Sequence, residues 1–315
     1  MAESPVEEDA AERTSRRTSG RRVLLSGLLV VAMVVAFGWA LAGQWSEIVD
    51  QLGEQRPAVL AGSLALALAG VYLSFLLWRG VLATLDSPIA VRPAARLFFV
   101  TQLGKYLPGA VWPVVAQMRM GREMGVPRQR MALAFLLTLG LTTLVGVLVG
   151  VAALPALLRA EGRVVLLGLL VVPVLVALLV PRVLNGLLDR GLRLIGRPPL
   201  ERPFTERDVV RGVCWALLFW LVYGGHAWLL AVGLGADPLE ALPVAIGGFA
   251  IAFSLGPLLV VLPAGAGVRE AVLVVLLAGV LTTPEATAVA LTSRGILMLT
   301  DGLLAGASVL RGGRP

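Results

Sequence analysis

Apolar residues run along this chain in blocks of membrane-span length, separated by short polar segments rich in arginine. Continuous stretches cover 23–42, 58–77, 132–154, 164–180, 212–234 and 286–310, each approaching or exceeding the roughly 20 residues that carry a helix through a bilayer core. They predict six full spans. Two further apolar regions, about 94–118 and 241–281, are broken at Gly104-Lys105-Tyr106-Leu107-Pro108-Gly109 and at Leu262-Pro263-Ala264-Gly265-Ala266-Gly267. Irregular backbone inside hydrocarbon survives only where protein or a water-filled cavity satisfies its N–H and C=O groups, so these paired breaks mark a candidate transport site. The expected fold is all-α: a polytopic integral membrane protein of about six full spans plus two Gly/Pro-broken re-entrant helical hairpins, up to eight hydrophobic segments.

Charge sets the expected orientation. Arg13, Arg16, Arg17, Arg21 and Arg22 precede the first span and place the N-terminus in the cytoplasm. The following loop is acidic, with Glu47, Asp50 and Glu54 against Arg56, whereas the segment from Arg79 to Arg130 is strongly basic and belongs inside. Residues 182–211 carry seven arginines and also belong inside, and the last span then ends inside at Arg311 and Arg314. Both termini are expected in the cytoplasm. The first broken segment therefore enters from the inner side and the second from the outer side, as in an inverted repeat with halves at about 23–160 and 161–310. Pro108 with Pro263, Pro127 with Pro284, and Gly146-x-x-x-Gly150 with Gly302-x-x-x-Gly306 lie 155, 157 and 156 residues apart, a near-constant offset that supports the repeat. Residues 1–22 read as a disordered cytoplasmic leader and 23–315 as one transmembrane domain. The stretch 23–42 exceeds the roughly 7–15 residues of a signal-peptide core, so it reads as a retained anchor. Between the halves, 183–197 reads as an amphipathic cytoplasmic helix that anchors topology, with Leu187, Leu188, Leu192 and Ile195 on one face and Arg190, Arg193 and Arg197 on the other.

Composition agrees and removes several function classes. The 315 residues are 57% hydrophobic and 15% charged, with a mean hydropathy of +0.86, far from the balance of a soluble domain. The net charge of +7 comes from arginines in short loops beside spans, which the positive-inside rule explains, so no nucleic-acid binding is expected. A single cysteine, Cys214, falls within a span, reads as inert packing, and gives no disulfide framework or multi-Cys metal site. The single histidine, His226, reads as a packed core residue, so neither a metal nor a cofactor is expected. The chain has no Gly-x-x-x-x-Gly-Lys-Ser/Thr loop, no His-Glu-x-x-His pair and no Gly-x-Ser-x-Gly elbow, which argues against ATP-driven pumping and hydrolytic chemistry.

The candidate chemistry lies with charges that hydrophobic segments should not carry. Lys105 is the only lysine and sits inside the first break, where its ammonium could meet a phosphate. Tyr106, Pro108, Gly109 and Trp112 share that segment, with Gln102 and Gln117 flanking it. In the second break, Gly265 and Gly267 precede Arg269 and Glu270 at a helix start, whose free N–H groups suit an anionic substrate. Arg294 and Asp301 lie in the last span, seven residues apart and so nearly on one helical face. Each costs roughly 2.5–3.5 kcal/mol at bilayer depth, so both should face a cavity or partners. Two turns separate them, so pairing with Glu270 and Arg269 across the bundle is expected instead of a bond to each other.

The string Gly104-Lys105-Tyr106-Leu107-Pro108-Gly109-Ala110-Val111-Trp112-Pro113, followed by Gly121-Arg122-Glu123-Met124-Gly125-Val126, resembles the signature of the lysylphosphatidylglycerol synthase transmembrane-region family. Pro263-Ala264-Gly265-Ala266-Gly267-Val268-Arg269-Glu270-Ala271 resembles its second motif, and Ser293-Arg294 its charged pattern in the last helix. The resemblance implies a flippase-like domain of the bacterial inner membrane that moves an anionic lipid head group between leaflets. Full-length synthases add a soluble aminoacyl-transfer domain. This sequence stops at Pro315, just past its last span, so that domain is expected to be absent and synthase activity is not carried over. Stand-alone members look like partners of membrane glycosyltransferases, which adds polyprenyl-phosphate-linked sugars to the expected cargo. A membrane-embedded enzyme using Glu270 or Asp301 as general base, or a scaffold for a glycosyltransferase, are the alternative readings.

Overall fold

The structure, a computed structural model, describes residues 55–107, 111–154, 172–255 and 267–311, with six isolated positions between 28 and 42. Pro108, Gly109, Pro263 and Gly265, the leader 1–22, most of the expected span 23–42 and residues 164–171 of the expected span 164–180 lie outside the described residues. Ten helices and no strand occur among the described residues: α1 Pro57–Thr84, α2 Val91–Gln102, α3 Trp112–Glu123, α4 Arg128–Ala152, α5 Val172–Leu178, α6 Pro181–Leu194, α7 Glu206–Gly233, α8 Pro238–Leu255, α9 Val268–Leu277 and α10 Thr283–Arg311.

The helix starts follow local chemistry. Pro57, whose missing N–H costs nothing in a first turn, opens α1 after the extended Arg56. Thr205 caps α7: its Oγ1 accepts from the Asp208 N–H at 3.3 Å while the Asp208 carboxylate accepts from the Thr205 N–H at 3.0 Å.

Five helices, α1, α4, α7, α8 and α10, are long and apolar enough to cross a membrane, and α5 with α6 would add a sixth were they not bent by 70°. Four of these match the expected spans. The fifth, α8, is the first arm of the region 241–281, an unbroken helix of 18 residues, or about 27 Å; the break expected at Leu262–Gly267 lies, Gly267 apart, outside the described residues. Pro243 lies inside α8, where it removes one backbone hydrogen bond without ending the helix. The remaining arm, α9, has 10 residues, and the arms of the first broken region, α2 and α3, have 12 each. At roughly 15–18 Å these three are too short to cross a hydrocarbon core of about 30 Å.

Lipid supplies no hydrophobic drive between helices, so the bundle depends on close packing. α7 is the central helix and lies along most of α1. Gly70 of α1 receives the Tyr223 ring so closely that a Cβ there would stand 2.6 Å from it, and Gly233 of α7 likewise receives Val59 at 2.8 Å. α4 meets α8 in the same manner: a Cβ on Gly150 would lie 2.3 Å from Ile251, and one on Gly247 2.2 Å from Ala153. The Gly146-x-x-x-Gly150 stripe is thus a packing seam, whereas Gly306 has nothing within 4 Å, so the two stripes are not equivalent.

α6 is amphipathic as expected, but its apolar face is only partly used. Leu192 is buried and Leu184 and Leu188 pack on the core, while Val183, Leu187, Leu194 and Ile195 are exposed. Asn185 ties the helix to the start of α7 through paired 2.9 Å bonds with the Phe204 backbone. Cys214 is exposed on α7, which corrects the expectation that it packs inside.

Gly70→Ala is expected to destabilise the detergent-solubilised protein by ~1–3 kcal/mol through overpacking against Tyr223, while Gly306→Ala leaves the thermal midpoint unchanged. Equal midpoints for the two variants would refute the α1–α7 seam.

Candidate functional site

Two short elements and the long helix α10 bring charge to one wall of the bundle. At the end of α2 the chain tightens into a 3-10 turn, Leu103–Tyr106, which carries Lys105 and Tyr106 toward α10. Lys105 Nζ lies 2.6 Å from Asp301 Oδ2, and the Tyr106 hydroxyl donates to the same oxygen at 2.7 Å. α9 starts at Gly267, whose φ of +83° is strained for other residues, and presents Arg269 and Glu270 in its first turn. One oxygen of Glu270 accepts from Arg294 at 3.0 Å and from Arg269 at 3.1 Å, and the other accepts from the Gly267 N–H at 2.7 Å. Two pairings seven residues apart on α10 therefore hold the two broken segments to the same helix.

This geometry meets the expectation that Arg294 and Asp301 avoid each other. Arg294 pairs across the bundle with Glu270, while Asp301 takes Lys105, a partner the spacing did not indicate. The N-terminus of α9 is taken by its own Glu270, which caps it through Gly267. Arg269 also stands over the Phe253 ring, its guanidinium carbon 5.6 Å from the centroid, within cation–π range.

A cavity of about 260 Å³ opens beside these groups, lined at its charged end by Lys105, Tyr106, Arg269, Arg294 and Asp301. Lys105 is the most open of them, with 28% of its side chain exposed against 3% for Asp301. Three cations thus face the space with a single carboxylate. Gly267, Glu270 and Trp112 do not line it, and Trp112 sits about one-third exposed at the start of α3. Pro108, Gly109 and Gly265 lie outside the described residues.

The rest of the wall is uncharged and comes from spans whose residues carry little sign of it: Trp78 from α1, Thr138 and Thr142 from α4, Trp220 from α7, and Phe253 and Ser254 from α8. Polar residues inside apolar spans are the available signal. The threonines mask it, because each hydroxyl bonds the carbonyl one turn back, Thr138 to Ala134 at 2.7 Å and Thr142 to Thr138 at 2.8 Å. His226 is buried as expected, bonded to the Tyr223 carbonyl and at 2.8 Å to Ser293 Oγ, and edge-on to Phe249.

Apolar helices of span length around a wall of buried, paired charges define a multi-pass membrane protein. The chain belongs to the lysylphosphatidylglycerol synthase transmembrane-region family, whose sequence model matches residues 23–305. No curated protein matches it.

Because one carboxylate serves two guanidinium groups, Glu270→Ala should destabilise the protein by about 3 kcal/mol, near the cost of breaking a buried pair. The double variant Glu270→Ala/Arg294→Ala should be less destabilised than the two single variants summed. Strict additivity of the thermal shifts would show that the pairing contributes nothing.

Proposed function

We propose that this protein translocates an anionic lipid head group, a phospholipid's or one linked to polyprenyl phosphate, between membrane leaflets. The observation that carries the reading is the convergence of Lys105, Arg269 and Arg294 on one cavity, each already balanced by Asp301 or Glu270. A phosphate entering the cavity competes with the resident carboxylates for these cations, so the cations have an anionic partner in both the empty and the loaded states. Family membership supports the reading, since the family is the membrane region of a lipid-modifying synthase.

In this proposal α2 and α3 form a re-entrant hairpin entered from the cytoplasmic side, and α9 is the short return arm of the second broken region, entered from the outer side. The two belong to inverted halves of an inner-membrane protein with cytoplasmic termini, and exchange of their ion pairs on α10 opens the cavity to one leaflet or the other. The chain acts as a carrier, not an enzyme, and a membrane glycosyltransferase is a fitting source of a sugar-bearing cargo.

The test is head-group translocation in liposomes carrying labelled phosphatidylglycerol or a polyprenyl-phosphate sugar. Wild type accelerates flipping of at least one, and Lys105→Ala and Arg269→Ala reduce the rate to that of protein-free vesicles while remaining folded. Undiminished flipping by both variants would refute the site, and no flipping of either lipid by folded wild type would refute the transport reading.

A further inference from the structure

Away from Lys105 the cavity changes character, and its uncharged wall holds two buried polar groups that the protein leaves without partners. Gln117 on α3 is wholly buried, and its Oε1 accepts a 3.1 Å hydrogen bond from the Trp78 indole N–H. That bond fixes which end of the amide is oxygen, and leaves the Nε2 amino group, with two donors, unpartnered. Ser254 on α8 is 4% exposed, and its hydroxyl likewise has no partner. Each such orphan costs about 1–3 kcal/mol unless water or a ligand meets it. Both residues line the cavity.

The wall beside them is close-packed and stiff. A Cβ on Gly146 would stand 2.5 Å from Ser254 Oγ and equally close to the Trp220 ring, so the seam of α4 holds both residues in place from behind. Trp220 is locked by its indole N–H on the Thr142 carbonyl at 2.8 Å, as Trp78 is locked on Gln117. Two aromatic rings with engaged N–H groups therefore form fixed apolar surfaces beside two free donors. The combination of flat apolar walls with a few orienting polar groups is what a sugar or polyol ring requires.

Charge narrows the class further. The one carboxylate lining the cavity, Asp301, is already engaged by Lys105 and Tyr106, so an ammonium-bearing head group finds no anion to receive it. With a volume of about 260 Å³, the cavity lies just below the ~300–1,000 Å³ range of pockets for drug-sized ligands, room for one ring beside the charged groups. We infer that the neutral wall around Gln117 and Ser254 is a subsite for an uncharged, hydroxyl-rich ring, a single sugar or cyclic polyol, joined to the phosphate that the cation cluster holds. The inference rests on the anionic-lipid reading and names the head group within it.

The experiment uses the full chain in detergent and follows the fluorescence of its tryptophans as lipid is added. Two matched pairs are titrated: a short-chain polyprenyl phosphate with and without one hexose, and phosphatidylinositol against phosphatidic acid. In at least one pair the ring-bearing lipid binds about tenfold more tightly, and that pair identifies the carrier. Ser254→Ala, which removes a hydroxyl that holds nothing in the protein and so leaves folding intact, then weakens the ring-bearing lipid by about three- to tenfold, the range of a single hydrogen bond, and leaves its bare-phosphate counterpart unchanged. Gln117→Met does the same, with Ser254→Ala as the control for any disturbance of Trp78. Equal affinity within both pairs, or equal weakening of both members by Ser254→Ala, overturns the subsite while the dependence of phosphate binding on Lys105 still stands. Absence of binding by all four lipids overturns the subsite together with the anionic-lipid reading.

Discussion

Two charges on one apolar helix organise this molecule. Arg294 and Asp301 sit within α10, almost wholly buried, where an unpaired charge costs several kcal/mol and neither can reach the other across two turns of helix. The bundle meets that cost by bringing a partner to each: Glu270 from the start of α9 and Lys105 from the turn after α2. The positions of both irregular segments follow from this requirement. The pairings add to the apolar packing of these short helices of 10 and 12 residues, whose Leu97, Phe98, Leu273 and Leu277 are buried in the core.

Around that centre the molecule separates into a tight part and a looser one. Helices α1, α7, α4 and α8 are fitted against one another through glycines, so their spacing is set by backbone-to-side-chain contact and leaves no slack. The 3-10 turn after α2 and the start of α9 are joined to α10 by ion pairs and a tyrosine hydroxyl, while the bodies of α2 and α9 pack through buried Leu97, Phe98, Leu273 and Leu277. Ion pairs can change partners at small cost, whereas a close-packed seam cannot be re-formed without repacking. The scaffold and the adaptable elements are thus made of different interactions.

Much of the architecture was legible in the sequence because long apolar runs have one structural outcome in a bilayer. The expected stretches 58–77 and 212–234 correspond to Pro57–Thr84 and Glu206–Gly233, each extended by a turn or two because helices continue past the apolar core into residues such as Arg79 and Arg211. In the second broken region only the flanks are described: α8 runs unbroken to Leu255 and α9 begins at Val268, and the expected break falls between them. In the site, Lys105, Arg269, Glu270, Arg294 and Asp301 stood out because charge is conspicuous in hydrocarbon. Which cation met which carboxylate was only half readable, since helical spacing constrains one helix and says nothing of its neighbours. The neutral wall was silent. Tryptophan, threonine and serine are ordinary in membrane helices, and only the fold shows that Trp78, Thr142 and Ser254 face a common space.

Glu270 is itself an occupant. It sits where an incoming anion would sit, touching two guanidinium groups and a helix-terminal N–H. In the proposed transport, a phosphate that took these contacts would displace a carboxylate from equivalent ones, so its free energy of entry would be a difference between two anions on the same donors. A site of that kind trades tight capture for ready exchange, its occupancy following the local concentration of ligand on whichever side it faces.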